Sequence, residues 1–473
     1  MNHLVTSKML VADRDITQAI RQQMVLNWCL AARPPMVATA GGYVTLTGSL
    51  DSLAASEEAT AIALAVQGVR EVDNQLRIQP PPVADEQLER DVSEALRQDV
   101  TTASYAVQAT VAAGVATLRG SVRAWPEREV VRQLVFGVRG LAGLADELTY
   151  DSPEQPGAQT ALADTIRELL RWDNRLSGGD DRVHVVAGQG EIRLTGTVSS
   201  ALERRLVVAT ARAAGAARVA AEGLLVIPEP AAPEAQRADP VAAPSDEAIE
   251  AAIYRVFRLH PRVAQLDVSV YAHDRGCVDL LGTADSPLAL HGAAHVAATV
   301  RGVRGINNYL RVRRSVPLRD DIMQLRVQAA LARSPFLADY ALDTAVFNGK
   351  VYLSGIVVCP LVRQRAEATL ANLLGVETIE NRLLVPHWPD TLRPEEAYPP
   401  GRNRQQHDQA VEQSVRRQLF WLPFAAARQL TVRVERGHAT LTGQLDTLQQ
   451  RQRAVGSAYQ GGALSVDNQI KLR

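Results

Sequence analysis

Gly42-Tyr43-Val44-Thr45-Leu46-Thr47-Gly48 decides the fold, because its frame, Gly-x-(Val/Ala/Ile)-x-Leu-x-Gly, returns five more times. The copies run Gly114 to Gly120, Gly190 to Gly196, Gly276 to Gly282, Gly349 to Gly355 and Gly437 to Gly443. Ordinary residue frequencies give such a frame about 0.1 times by accident in a chain of this length. A six-unit array follows. Shared among six units, the 473 residues leave roughly 60 to 70 per module, near the lower limit for an independent core.

Inside the frame the apolar neighbours alternate with a mostly polar middle position: Thr45, Thr117, Arg193, Asp279, Tyr352 and Thr440. That alternation is a strand with one buried face. A second alternating segment precedes it, clearest in Leu266, Val268 and Val270 and in Leu430, Val432 and Val434. Turn sequences such as Asn348-Gly349 join the two as a hairpin. After the second glycine come helix starts, at Ser52, Trp125-Pro126, Ser286-Pro287, Cys359-Pro360 and Asp446-Thr447. Small or apolar residues then recur along one stripe (Ala59, Ala63 and Val66; Val131, Val135 and Val138). The helix ends at Gly68, Gly140, Gly302 or Gly375, with Ala216 and Gly462 in the remaining units. A last strand follows, Val72-Asp73-Asn74-Gln75-Leu76 and its echoes around Asn308, Asn381 and Asn468. Strand, helix, strand implies a parallel crossover.

A further amphipathic helix opens each unit, as in Ile249, Ala252, Ile253, Val256 and Phe257. The module is α-β-β-α-β and the class α+β: a three-stranded mixed sheet with two helices on one face. This order, with the glycine-bounded strand, Gly68-Val69 and Val72-Asp73-Asn74, resembles the BON domain of bacterial osmotic-shock and envelope proteins. The resemblance covers 15–78, 85–150, 160–227, 246–312, 320–385 and 407–472. Modules two and three diverge: Asp146 replaces the asparagine in one, and Ala216 and Glu222 stand at the glycine and asparagine positions in the other. The linkers are 79–84, 151–159, 228–245, 313–319 and 386–406. The short ones suggest modules held close and the two long proline-marked ones suggest spacers, so the expected grouping is 3 + 2 + 1.

Net charge is −1, which does not fit a general nucleic-acid binder. Three cysteines in different modules give no disulfide framework. Met1 to Asp15 lacks an apolar run of signal-peptide length, and no stretch of 18 uncharged apolar residues occurs. The expected location is the cytoplasm, peripheral to a membrane if anywhere near one, with the periplasm as alternative.

Few residues depart from the repeated scaffold in a way that suggests chemistry. His291 and His295, four apart on a helix, are weak candidates for sharing a metal, with no third ligand in view. Around Leu419-Phe420-Trp421-Leu422-Pro423-Phe424, Arg416, Arg417 and Arg428 add positive charge, so Phe420, Trp421 and Phe424 with these arginines are candidate lipid or partner contacts. The competing role for these aromatics is filling a small core. The recurring asparagines suit a backbone-bonding turn better than a ligand site. Gly137 to Gly140 and Gly302 to Gly305 lack the Lys-Ser/Thr of a phosphate loop and end helices.

Resemblance to BON proteins implies a non-catalytic binding or scaffold role, with no cofactor, at phospholipid surfaces or with envelope partners under osmotic stress. Several weak modules on one chain would raise effective concentration. The open sheet face and the ends of the first helices are the expected contact areas. The alternative is a cytoplasmic protein binding a small ligand or a K⁺-like cation, since a BON module also occurs in a cytoplasmic potassium-binding protein.

Overall fold

The computed structural model of the chain describes residues 11–150, 158–176, 182–188, 190–227, 244–313, 318–385, 404–422 and 429–472. Module 1 contains helices α1 (Asp13–Leu26) and α2 (Leu53–Ala65), and module 2 contains α3 (Asp85–Gln98) and α4 (Trp125–Phe136). Module 3 has α5 (Ala158–Trp172) and α6 (Ala201–Ala213), module 4 α7 (Asp246–Leu259) and α8 (Pro287–Ala297). Module 5 has α9 (Asp320–Arg333) and α10 (Pro360–Leu370), module 6 α11 (Arg404–Phe420) and α12 (Leu448–Gln460). Each module carries its own sheet in which the frame strand is central, antiparallel to the strand before it and parallel to the strand after α2 or its counterpart. The α+β class and the module anatomy are those read from the repeat.

In module 1 the central strand Tyr43–Leu50 buries Val44, Leu46 and Leu50 against Ile16, Ile20 and Met24 of α1 and Ala55, Ala59 and Ala63 of α2. The alanine stripe lets α2 lie close to the sheet. Ser52 caps it, accepting from the Ala55 amide, and Ser200, Ser286 and Thr447 repeat the cap. The second frame glycine is a steric necessity: Gly282 has φ +127°, and a Cβ there would lie 2.0 Å from the Asp267 carbonyl oxygen. Only glycine combines that backbone with that contact.

One recurring device was not legible from the repeat. An aspartate near the start of the opening helix, its first residue in four modules and the fifth in α11, reaches across the module and clamps the hairpin turn with its carboxylate. Asp13 accepts from the amides of Gly41 (2.7 Å) and Gly42 (2.9 Å), Asp85 from Ala113 and Gly114, and Asp408 from Arg436 and Gly437. Asp246 and Asp320 do the same to Gly276 and Asn348. The turn amides have no ladder partner, so the carboxylate satisfies them while favouring the positive end of its own helix.

The modules do not form a string. Helix α2 starts at Leu53, which packs on the core of module 2; Trp125 at the start of α4 meets Arg212 of module 3; and the Ala201 amide of α6 donates to Val69 of module 1. Modules 1, 2 and 3 therefore close head to tail into a ring. Modules 4, 5 and 6 close likewise: the Leu288 amide donates to the Ala371 carbonyl, α10 touches α12, and Leu448 enters the core of module 4. The expected 3 + 2 + 1 grouping is replaced by 3 + 3. Linker length misled because contacts between helix ends, rather than tether length, set the neighbours.

Among the described residues the two rings stack through one bond used four times. The amide just before the helix-ending glycine donates to the carbonyl at the end of another module's first helix. The pairs are Gln67 to Trp421, Arg139 to Arg333 (2.7 Å), Arg301 to Trp172 (2.7 Å) and Leu374 to Gln98 (2.8 Å). These couple module 1 to 6, 2 to 5 and 3 to 4, reciprocally in the 2–5 pair. Secondary contacts join 1 to 5, where Trp28 meets Phe336 edge-on at 5.1 Å, and 2 to 4, where Arg262 reaches Asp99. Two three-module rings related by such paired contacts make an internal pseudo-hexamer of 32 type.

Candidate functional surfaces

Closure decides which surfaces remain for a partner. The ends of the first helices of modules 1, 2, 3 and 5, expected above as contact areas, are consumed by junctions between modules: Asn27, Asp99, Asp173 and Ser334 are all buried, whereas Phe420 at the end of α11 is exposed. The buried ends are withdrawn because the neighbouring carbonyls of Gln98, Trp172 and Arg333 accept amides of other modules, and the side chains of Asp99, Asn174 and Arg333 bond across the junctions. At one junction Asp99 Oδ1 accepts from the Thr101 and Thr102 amides, while Oδ2 accepts from Asn372 of module 5 and from Arg262 of module 4. Asn372 Oδ1 in turn accepts from the buried Ser286 hydroxyl at 2.7 Å. Three modules are thus tied by one polar network.

The second expected area, the open sheet face, does look outward in all six modules. Its character differs from module to module. Module 6 presents Thr431, Arg433, Glu435 and His438, and module 2 presents Gln108, Thr110, Thr117 and Arg119. Module 5 is the most apolar, with two cations, Lys350 and Arg382, set against two carboxylates, Glu380 and Asp343. Phe347 (64% exposed) stands opposite Lys350, and Ile356 (64%) lies opposite Leu384 (66%). Lys350 and Arg382 both lie over the Tyr352 ring, at 4.9 and 5.5 Å, and both pair with Glu380. Those contacts hold the Lys350 ammonium above its usual pKa and the Glu380 carboxyl below its own, each chiefly through their mutual hydrogen bond. Module 4 presents Tyr271 beside a polar set in which Asp279 accepts from Asn307 at 2.8 Å and bonds His273.

His291 bonds the Pro287 carbonyl through Nδ1 at 2.8 Å. His295 reaches solvent, yet crowding and the positive charges of Arg175 and Arg453 hold its pKa below the ordinary imidazole value, surroundings that repel a cation. Among the described residues no group of three or more His, Cys, Asp or Glu is placed to hold a metal. Trp421 packs on the core of module 1 and stacks edge-on with Phe420 at 5.3 Å, while Phe420 stays exposed. Arg416 donates to the Val432 carbonyl and pairs with Glu412, and Arg417 lines the groove between α1 and α11. Phe424 and Arg428 lie outside the described residues.

The recurring asparagines are structural. Asn74 donates to Ser56 and Thr60 of α2, both at 2.9 Å, and accepts from the Leu76 amide; Asn308 and Asn381 make the equivalent strand-to-helix bonds. Where the asparagine is replaced in module 2, an ion pair keeps the strand-to-helix tie. Asp146 pairs with Arg128 at 2.7 Å, and around Glu222 the strand pairing shifts register. Burial pushes the Cys29 thiol up to about 12 and raises that of Cys359, which keeps both protonated and poor as nucleophiles. Among the described residues no helix is long and apolar enough to cross a membrane.

The BON domain model matches six stretches: 12–80, 84–152, 158–226, 245–314, 319–386 and 407–473. No curated protein matches the chain. Among solved structures, the C-terminal domain of CdsD, the structural protein of the type III secretion system of Chlamydia trachomatis, is similar at 16% identity. It covers 46% of this chain and 100% of that one, with a TM-score of 0.13. A second structure of CdsD from the same organism matches at 17% identity, covering 46% and 93%, also with a TM-score of 0.13.

Proposed function

Because the chain belongs to the BON-domain family, six modules in succession, we propose that it is a non-catalytic binding scaffold that presents its sheet faces to phospholipid surfaces. The observation that carries this reading is the outward face of module 5. There Phe347, Ile356 and Leu384 are exposed next to Lys350 and Arg382. Apolar side chains flanked by snorkelling cations fit the boundary between acyl chains and anionic headgroups. Closure gives the scaffold a second property: the faces are held in fixed directions, so avidity depends on geometry rather than on flexible tethers. Phe420 with Arg417 provides a smaller contact of the same kind. The family's association with membranes and osmotic stress supports the reading, and the protonated thiols give no support to a nucleophile.

Co-sedimentation with zwitterionic and anionic vesicles at two salt concentrations tests it. The expected result is binding that is stronger to anionic vesicles at low salt. Phe347→Asp with Leu384→Asp should weaken it by about tenfold or more, the order expected from losing two apolar insertions and adding two like charges. Absence of binding to either vesicle at low salt would sink the proposal.

A further inference from the structure

We propose that the funnel on the pseudo-threefold axis of the first ring binds a small soluble anion carrying two or more phosphate groups. The funnel has a volume of about 720 Å³ and is lined by α2, α4 and α6, one helix from each of modules 1, 2 and 3. That size falls within the range of small-molecule sites. Six arginines face it: Arg70, Arg128, Arg132, Arg204, Arg205 and Arg212.

Their charges are only partly answered. Arg128 pairs with Asp146 at 2.7 Å and Arg132 with Glu129 at 3.1 Å. Arg204 and Arg205 stand farther from Glu71 and Glu57, at 3.7 and 3.6 Å. Arg70 has no carboxylate partner among the described residues, and Arg212 instead lies 5.8 Å from the centroid of the Trp125 indole. Six guanidinium groups against four carboxylates leave two positive charges in a concave site of a chain whose net charge is −1. Concavity focuses such a field, and the guanidinium fork matches phosphate oxygens in a way a lysine does not.

A ring of this kind closes without most of these arginines, although in the first ring Arg212 on Trp125, Arg204 near Glu71 and Arg205 near Glu57 cross module boundaries. Where α4 places Arg128, Arg132 and Phe136, the corresponding positions of α8 hold Leu290, Ala294 and Ala298, and that ring closes too. Arg128 and Arg204 occupy a position that is also arginine in modules 5 and 6 (Arg363 and Arg451), whereas Arg132, Arg205 and Arg212 have no arginine counterpart anywhere in the second ring. Trp125 and Phe136 add planar apolar surface beside the cations, suited to the organic portion of a phosphorylated metabolite.

Calorimetric titration of the full chain with inorganic pyrophosphate and tripolyphosphate, against orthophosphate, tests this. One site per chain is expected, with tripolyphosphate the tightest. The double variant Arg70→Gln, Arg212→Gln alters two solvent-reaching side chains and should weaken binding about tenfold or more, as loss of charge-assisted bonds does. Arg433→Gln, on the sheet face of module 6, should leave it unchanged. No heat at millimolar ligand, several equivalent sites per chain, or equal weakening by Arg433→Gln would overturn the proposal. The inference does not rest on the sheet-face reading: vesicle binding that survives Arg70→Gln, Arg212→Gln while pyrophosphate binding is lost separates a soluble ligand from a lipid headgroup, and loss of both assigns the funnel to the headgroup and overturns it.

Discussion

Asp99→Ala is expected to destabilise the protein by about 3–5 kcal/mol, the range for removing one partner of a buried charged pair. Asp99 is 4% exposed and serves three modules at once. Its loss strands the Arg262 guanidinium of module 4 and the Asn372 amide of module 5, besides two amides of its own turn. In a string of independent modules only the two local bonds would go, costing about 1–2 kcal/mol. Denaturant unfolding of Asp99→Ala, Arg262→Ala and the double variant separates the cases. The junction requires a coupling of about 1–3 kcal/mol between positions 163 residues apart, and additivity would contradict it.

The second large effect belongs to the frame itself. Gly282→Ala combines a left-handed backbone, φ +127°, with a Cβ that would sit 2.0 Å from the Asp267 oxygen. Strain of about 1–3 kcal/mol is joined by forced separation of the hairpin strands, so the total loss should reach about 3 kcal/mol or more and open module 4. Gly292→Ala, inside α8, makes the opposite prediction. Its nearest neighbour, Val263 Cγ2, is 3.9 Å away and its backbone is helical. The same substitution ten residues later should be neutral or stabilise by up to about 1 kcal/mol. Thermal unfolding of the two variants reads the difference in sign.

Much of the module was legible because repetition exposes what a fold needs. The glycines recur where the backbone must take positive φ, and the asparagines recur where the last strand is tied to the second helix. The clamping aspartate left a signal too. Asp13, Asp85 and Asp408 each stand 29 residues before the first frame glycine, but an acidic residue starting a helix reads as an ordinary dipole partner. The 3 + 3 closure left almost none. Much of it is backbone at helix ends, Ala201 to Val69 and Leu288 to Ala371 within the rings and Leu374 to Gln98 between them, which any residue supplies. The outward direction of the sheet face was anticipated, while the first-helix ends of modules 1, 2, 3 and 5 were not correctly judged, since their burial depends on a partner module far away in the chain. The arginine funnel was dispersed over three modules, and only closure gathers it.

The central claim, that six modules close into one particle with helix ends inside and sheets outside, is tested most directly by small-angle X-ray scattering on the full chain. A compact body of 473 residues has a radius of gyration of about 23 Å. The account predicts that value, with little change between low and high salt. A radius of roughly 35 Å or more, as for beads on spacers, would contradict it.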